Sequence, residues 1–227
     1  MAWWFSAAAK RERLAGKLSP GPLRDFVLAA VPAPETPVAD LRLLAIDLET
    51  TGLDPASDRL LSVGFVEVDG DEVVVGSARH VVIRQDQEGS VGDSATIHGL
   101  TDDALGQGRS EQEAVTTTLA ALAGRVLLAH HADVEVGFLS AACRRLWGAE
   151  PLFEVVDTMQ LQYRLLSRER DTDPPRGALR LWGACDQYNL PRHAAHNALS
   201  DALSCAELYL AQVQQPGAGG TLKSLRP

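Results

Sequence analysis

Leu43–Leu53 reads LLAIDLETTGL: a run of apolar residues, then Asp47 and Glu49 two residues apart, then Thr50, Thr51 and Gly52. The run from Leu41 to Leu48 has the composition of a central strand buried on both faces. Residues two apart on a strand point to the same side. Both carboxylates therefore face one spot at the mouth of a hydrophobic sheet. Close carboxylates repel each other, and burial raises the cost of their charge. A hard divalent cation relieves both: Mg²⁺ and Mn²⁺ prefer oxygen ligands and are held by a few carboxylates plus waters. Taken alone, the pattern is equally compatible with a buried strand that ends in solvated acids before a turn.

Reading outward, Arg59–Val68 and Glu72–Ile83 are strand candidates joined by Asp69, Gly70 and Asp71, a strong hairpin signal. Glu111–Leu122 has helical composition, and Arg125–Ala129 is a short fourth strand. Apolar residues at Val134, Phe138, Ala142 and Leu146 form a helical stripe over Val134–Trp147. Phe153–Val156 is a fifth strand candidate. It ends at Asp157 and Thr158, which read as structural, capping the following helix. Leu179–Tyr188 and Ala198–Val213 look helical. Three strands in succession, followed by alternating helix and strand, predict an α/β fold: a mixed five-stranded sheet flanked by helices.

Residues 1–40 differ in character from the rest of the chain. A short helix opening at Trp3, Trp4 and Phe5 is broken by Ser19–Pro22; a second, Leu23–Ala30, ends at a proline-rich connector. We expect this N-terminal helical extension to pack on a catalytic domain spanning 41–213. An arm that contacts a protein partner is the alternative, because two adjacent exposed tryptophans make a costly apolar patch. The Gly-rich residues 214–227 predict a flexible tail.

A chain of 227 residues with 45% hydrophobic content supports one sizeable core. Its net charge of -9 offers no global positive field for a polyanion, so nucleic acid would need local arginines or metal ions. Arg164, Arg168, Arg170, Arg176, Arg180 and Arg192 are the candidates; some would line a strand-binding groove and the others would be solvated. Cys143, Cys185 and Cys205 form no CxxC pair, so neither a zinc site nor a disulfide framework is expected, and a reducing, cytoplasmic location is. The N-terminus lacks the basic region of a signal peptide, and no run approaches the apolar length of a membrane span.

Three further pieces extend the first motif. TIHGLT spans Thr96–Thr101, Glu135 lies within AHHADVEVGFL, and His196 precedes Asp201 in HNALSDA. In this order they resemble the DEDDh exonucleases, the DnaQ-like branch of the ribonuclease H-like superfamily. That family carries DxE, then an acid before an apolar helix, then HxxxxD. The resemblance covers about Leu41 to Gln212 and implies the ribonuclease H-like fold. It implies that Asp47 bridges two Mg²⁺ or Mn²⁺ ions, that Glu49 and Asp201 complete the more deeply held one, and that Glu135 is the fourth ligand. Two ions roughly 3.5–4 Å apart can clamp both the attacking and the leaving oxygen of a phosphodiester. His196 is the expected general base, since imidazole titrates near pH ~6.5.

One position departs from the family: Glu135 stands where Asp is usual. Asp133 competes, but two residues on a helix point about 200° apart, so only one can face the site. The Gly137-Phe138-Leu139 anchor favours Glu135, with a side chain one methylene longer. Alternatively, both acids merely favour the N-terminal turn of their helix. Asn197 is a helix-cap candidate, and His193 does not match the spacing to Asp201. Thr50, Thr51 and Gly52 are expected to touch the terminal nucleotide. Ile97 and His98, with Gly99, would cover its base, and His131 would contact phosphate. The expected activity is a 3′→5′ exonuclease acting on single-stranded DNA or RNA 3′ ends and releasing nucleoside 5′-monophosphates. Proofreading subunits in the family carry a longer C-terminal arm, so a stand-alone repair or RNA-trimming nuclease is favoured over that role. A catalytically weak nucleic-acid-binding module is the remaining alternative.

Overall fold

The central strand β1 (Arg42–Thr50) pairs antiparallel with β2 (Leu60–Asp69), and β2 turns through Gly70 into β3 (Glu72–Val82). Gly70 has φ 61°, the left-handed conformation a tight hairpin requires and glycine adopts without strain. On the other side, β4 (Val126–Ala129) runs parallel to β1, and β5 (Val155–Asp157) parallel to β4. The strand order β3-β2-β1-β4-β5 makes the mixed five-stranded sheet that the sequence predicts. The structure is a computed structural model, describing residues 2–85, 106–169, 174–193 and 197–226, the side chains of 2–7 and 169 excepted. Trp3, Trp4 and Phe5 are therefore placed by backbone alone.

β1 alternates between two cores. Leu44, Ile46 and Leu48 face one side, packing with Val63 and Phe65 of β2 and with helices α3 (Glu111–Leu122) and α4 (Asp133–Trp147) through Val115, Leu119, Phe138 and Ala142. Leu43 and Ala45 face the other, with Val66, Val68 and the stripe Cys205, Ala206 and Tyr209 of helix α7 (Ala198–Val213). Each fully buried Val, Leu, Ile or Phe among them contributes about 1.5–3 kcal/mol. α3 opens on a capping box between Ser110 and Glu113, and α7 on Asn197, whose side chain accepts from the Ser200 N–H at 3.2 Å, as the sequence indicates.

Between the two faces lies one unusually close approach. A Cβ on Gly64 would fall 2.1 Å from the Ala198 carbonyl carbon and the Leu199 nitrogen. The missing side chain lets the first turn of α7 rest directly on β2, opposite Asp47 in register.

Helices α1 (Ala2–Ala15) and α2 (Pro22–Leu28) form the N-terminal extension, and Leu23, Phe26 and Val27 join the first core. Arg11 locks it in place. Its buried guanidinium donates to the carbonyls of Val27 (3.2 Å) and Phe26 (3.0 Å) at the end of α2, and to Leu152 (2.6 Å). It thus adds donors to carbonyls at a helix end, where intrahelical partners run out.

Helices α5 (Thr158–Glu169) and α6 (Leu181–Gln187) complete the second side, where the C-terminal segment differs from expectation. Instead of a flexible tail, residues 214–226 return to the body and end in the helical turn α8 (Leu222–Leu225), with Leu222 and Leu225 buried against Val156. Arg164 donates to the carbonyls of Ser224 (2.9 Å), Leu225 (3.1 Å) and Arg226 (3.2 Å), and Arg168 to that of Gly217. Composition misleads here because two leucines and two arginines outweigh the glycines. Of the arginines expected for a groove, Arg164 and Arg168 hold the tail and Arg192 pairs with Asp186 at 3.0 Å, whereas Arg176 and Arg180 are exposed and Arg170 lies outside the described residues. Among the described residues, no helix is long and apolar enough to cross a membrane.

Two substitutions test this architecture. Gly64→Ala should lift the first turn of α7 and cost roughly 1–3 kcal/mol, as overpacking does; an unchanged Tm would mean that α7 is not seated on β2. Leu222→Ala should cost about 2–5 kcal/mol in urea unfolding, whereas a tail without fixed packing would show no change.

Candidate active site

At the carboxyl ends of β1 and β4, side chains from both cores meet. Asp47 and Glu49 share the face of β1 that packs on α7, and Asp201 sits in the first turn of α7. With α7 seated on Gly64, one carboxylate oxygen from each of Asp47, Glu49 and Asp201 lies within 4.8 Å of the others. A β-bulge between Glu49 and Thr50 ends the regular pairing just beyond the acids. Bulges commonly re-aim side chains beside functional sites.

Glu135 enters from the opposite face of the sheet, in the first turn of α4. It is 4% exposed, whereas Asp133 is exposed. Gly137 permits this placement: Pro55, in the loop after β1, approaches to 3.0 Å of where a Cβ would stand. Glu135 lies outside the 4.8 Å group but close enough to repel Asp47.

The electrostatics follow from this crowding. Burial, then repulsion from Glu135, Asp201 and Glu49, pushes the Asp47 carboxyl well above the usual carboxylate range. Burial and Asp201 raise Glu49 to about 7. Burial raises Glu135 to about 8, with Asp157 and Asp133 adding to it. In addition, Glu135 Oε2 is buried with no hydrogen-bond partner among the described residues. An oxygen-only donor set, three ligating atoms converging and a buried partnerless carboxylate oxygen together fit a hard divalent ion.

A second tier of residues holds these acids in place. Asp157, buried, accepts from the backbone N–H groups of His131 (3.1 Å) and Ala132 (3.1 Å) ahead of α4, and of Met159 (2.8 Å) at the start of α5. It caps α5 as the sequence indicates, and it also ties down the turn that launches Glu135. Burial lowers the pKa of His130, whose Nε2 donates to the Leu179 carbonyl (2.8 Å) and whose Nδ1 lies 2.9 Å from the Thr158 hydroxyl. Sequence reading passed over His130 in favour of its neighbour His131, which is exposed with φ 73°.

The turn after β1 is more self-contained than expected. The Thr51 hydroxyl donates to Asp58 Oδ1 (3.0 Å) and accepts from the Arg59 N–H (3.0 Å). A Cβ on Gly52 would fall 2.4 Å from the Asp58 carboxylate. Gly52 thus makes room for Asp58, and the Thr50 hydroxyl turns back to the Gly52 carbonyl. Leu53, which sequence reading did not single out, is 81% exposed at the tip of this turn; the signal was a lone large apolar residue directly after the acids. Gly64 was missed as well, because its role is visible only once α7 is in place. His193 pairs with Glu207 at 3.0 Å, away from the cluster. Ile97, His98 and His196 lie outside the described residues.

Comparison with known proteins agrees with this arrangement. The family described as RNase_T, Exonuclease, matches residues 44–209. The chain is 32% identical over 170 residues to DNA polymerase III subunit epsilon of Treponema pallidum, covering 74% of this chain and 75% of that one. It is 28% identical over 175 residues to the PolC-type DNA polymerase III of Thermotoga maritima, covering 77% of this chain but only 12% of that one. Among solved structures, E. coli exonuclease I in complex with a dT13 oligonucleotide superposes with TM-score 0.65 at 15% identity, over 75% of this chain and 40% of that one. Cell-death related nuclease 4 gives 0.66 at 11% identity, over 77% and 64%. These two share the ribonuclease H-like fold. The match across 44–209, spanning the strand that bears Asp47 and Glu49 and the helix that bears Asp201, shows that this chain belongs to the DnaQ-like RNase_T exonuclease family, hydrolases of phosphodiester bonds.

Proposed function

We propose that the protein is a 3′→5′ exonuclease that removes nucleoside 5′-monophosphates from single-stranded DNA or RNA ends with two Mg²⁺ or Mn²⁺ ions. The observation that carries this reading is the convergence of Asp47, Glu49 and Asp201 oxygens within 4.8 Å, with Glu135 buried beside them. Asp47, at the centre of the mutual repulsion, would hold the ions together with Glu49, Asp201 and Glu135. Bound there, the ions would stabilise charge on the attacking and leaving oxygens of the phosphodiester. His196, five positions before Asp201, takes the proton of the attacking water. Leu53, exposed after the acids, offers an apolar face to the terminal base, and the family resemblance assigns Ile97 and His98 to the same base. Thr50, Thr51 and Gly52 shape the turn against which the terminal sugar rests, and His131, exposed before α4, meets a phosphate.

Relatives support the substrate class. Exonuclease I was crystallised with a single-stranded oligonucleotide, and the epsilon subunit belongs to a DNA polymerase. That second likeness also favours a proofreading role, which mismatched and matched primer ends distinguish through their relative rates of trimming.

Two outcomes test the chemistry. Glu135→Ala should lower turnover of a 5′-labelled oligonucleotide by more than about 100-fold, since even outer partners of metal ligands cost 10–100-fold. Asp133→Ala should leave turnover near that of the unmodified protein, and the reverse pattern would reassign the fourth ligand. The pH dependence has a definite sign. Glu49 and Glu135 bind protons more tightly in the folded protein, up to about 7 and about 8, than at their ordinary 4.5. Without metal, stability contributed by these groups is present below pH about 4.5 and is lost as pH rises through 7–8. Metal-free Tm should therefore fall from pH 5 to 8, and Mn²⁺ should restore it most strongly at pH 8, with proton release on binding. A metal-free Tm that rises across this range would contradict the shared burial of these acids.

A further inference from the structure

The strand β2 carries a polar residue that neither the fold nor the proposed chemistry uses. Ser62 is fully buried, and its hydroxyl has no hydrogen-bond partner among the described residues. It stands directly opposite Glu49 in the β1–β2 ladder. Cross-strand partners share a face, with Cβ atoms about 4.5–5.5 Å apart. The face is confirmed by the rest of the ladder: Leu43 opposes Val68 and Ala45 opposes Val66, all four in the core beneath α7, and Asp47 opposes Gly64, on which α7 rests. Ser62 thus belongs to the row that holds the acids, one step from the carboxylate of Glu49.

A buried hydroxyl without a partner is costly, and native proteins seldom keep one without a use. Alanine would fill nearly the same space at this position with no polar atom to desolvate. The neighbour placed to accept from Ser62 across the ladder is Glu49. A carboxylate holding a cation with one oxygen gains from a donor on the other.

We propose that Ser62 is a positioning residue for the metal site: its hydroxyl donates to the Glu49 carboxylate when a divalent ion is bound, aligning Glu49 as a ligand. This rests on the metal-dependent nuclease reading above. His80, across Gly64 from Asp47 on the same face, also has a buried nitrogen without a partner, but it is only half-buried and adds nothing to the case.

The test is Mn²⁺ titration by calorimetry on the full chain, together with the Tm of the metal-free protein. Ser62→Ala should weaken Mn²⁺ binding about tenfold, the lower end of the range for outer partners of metal ligands. Its metal-free Tm should stay level or rise, because an unpaired buried hydroxyl has been removed. Unchanged Mn²⁺ affinity overturns the proposal. So does weaker binding accompanied by a lower metal-free Tm, which would mark a merely structural serine. Failure of the underlying reading looks different: the unmodified protein itself would take up no Mn²⁺.

Discussion

Like-charged groups gathered in one place against their own repulsion are the constraint around which this fold is organised. Asp47, Glu49 and Asp201 approach one another within 4.8 Å, and Glu135 lies buried beside them. Left to themselves, such carboxylates would separate into solvent. They stay together because each is fastened to an element with other reasons to be where it is. Asp47 and Glu49 extend a strand in which Leu43, Leu44, Ala45 and Ile46 are buried, and Asp201 belongs to the helix that covers that strand. Without an ion, raised proton affinity relieves the repulsion; with one, the cation would do so more completely.

The scaffold is built to resist that repulsion from several directions. Gly64 brings α7 onto the sheet, Gly137 admits Pro55 against α4, and Asp157 ties the turn before α4 to the start of α5. None of these residues carries the chemistry, yet each sets the position of one that does. The sequence segments beyond the sheet serve the same rigidity. Arg11 fastens the N-terminal helices, and Arg164 gathers the last residues over Val156, beside the edge strand β5. Covering an edge strand also removes a template for unwanted pairing.

Three of the arginines that looked available for nucleic acid, Arg164, Arg168 and Arg192, are engaged within the protein, on a chain of net charge -9. Under the proposed function, a grip on the strand end through ions and the turn at Leu53 fits this surface better than a long basic channel does. Weak dependence on base sequence would be the natural result.

Much of this was legible in the chain. Alternation and apolar runs marked all five strands, because their burial is written into local composition. The DxE spacing placed Asp47 and Glu49 on one side, since a strand has period two. Helical geometry showed that only one of Asp133 and Glu135 can face the site, and resemblance to the family motif favoured Glu135. Other features depended on contacts between distant segments. Gly64 looks like any glycine in a strand until α7 lies on it. His130 is indistinguishable from His131 until Leu179 and Thr158 surround it. The tail reads as flexible until Arg164 meets its carbonyls. Ser62 has no visible partner in sequence at all. Local periodicity thus determined which residues form strands and helices and which acids share a side. Tertiary structure alone decided how closely those acids meet and what holds them there, because proximity between distant segments is set by packing, which no short stretch of chain contains.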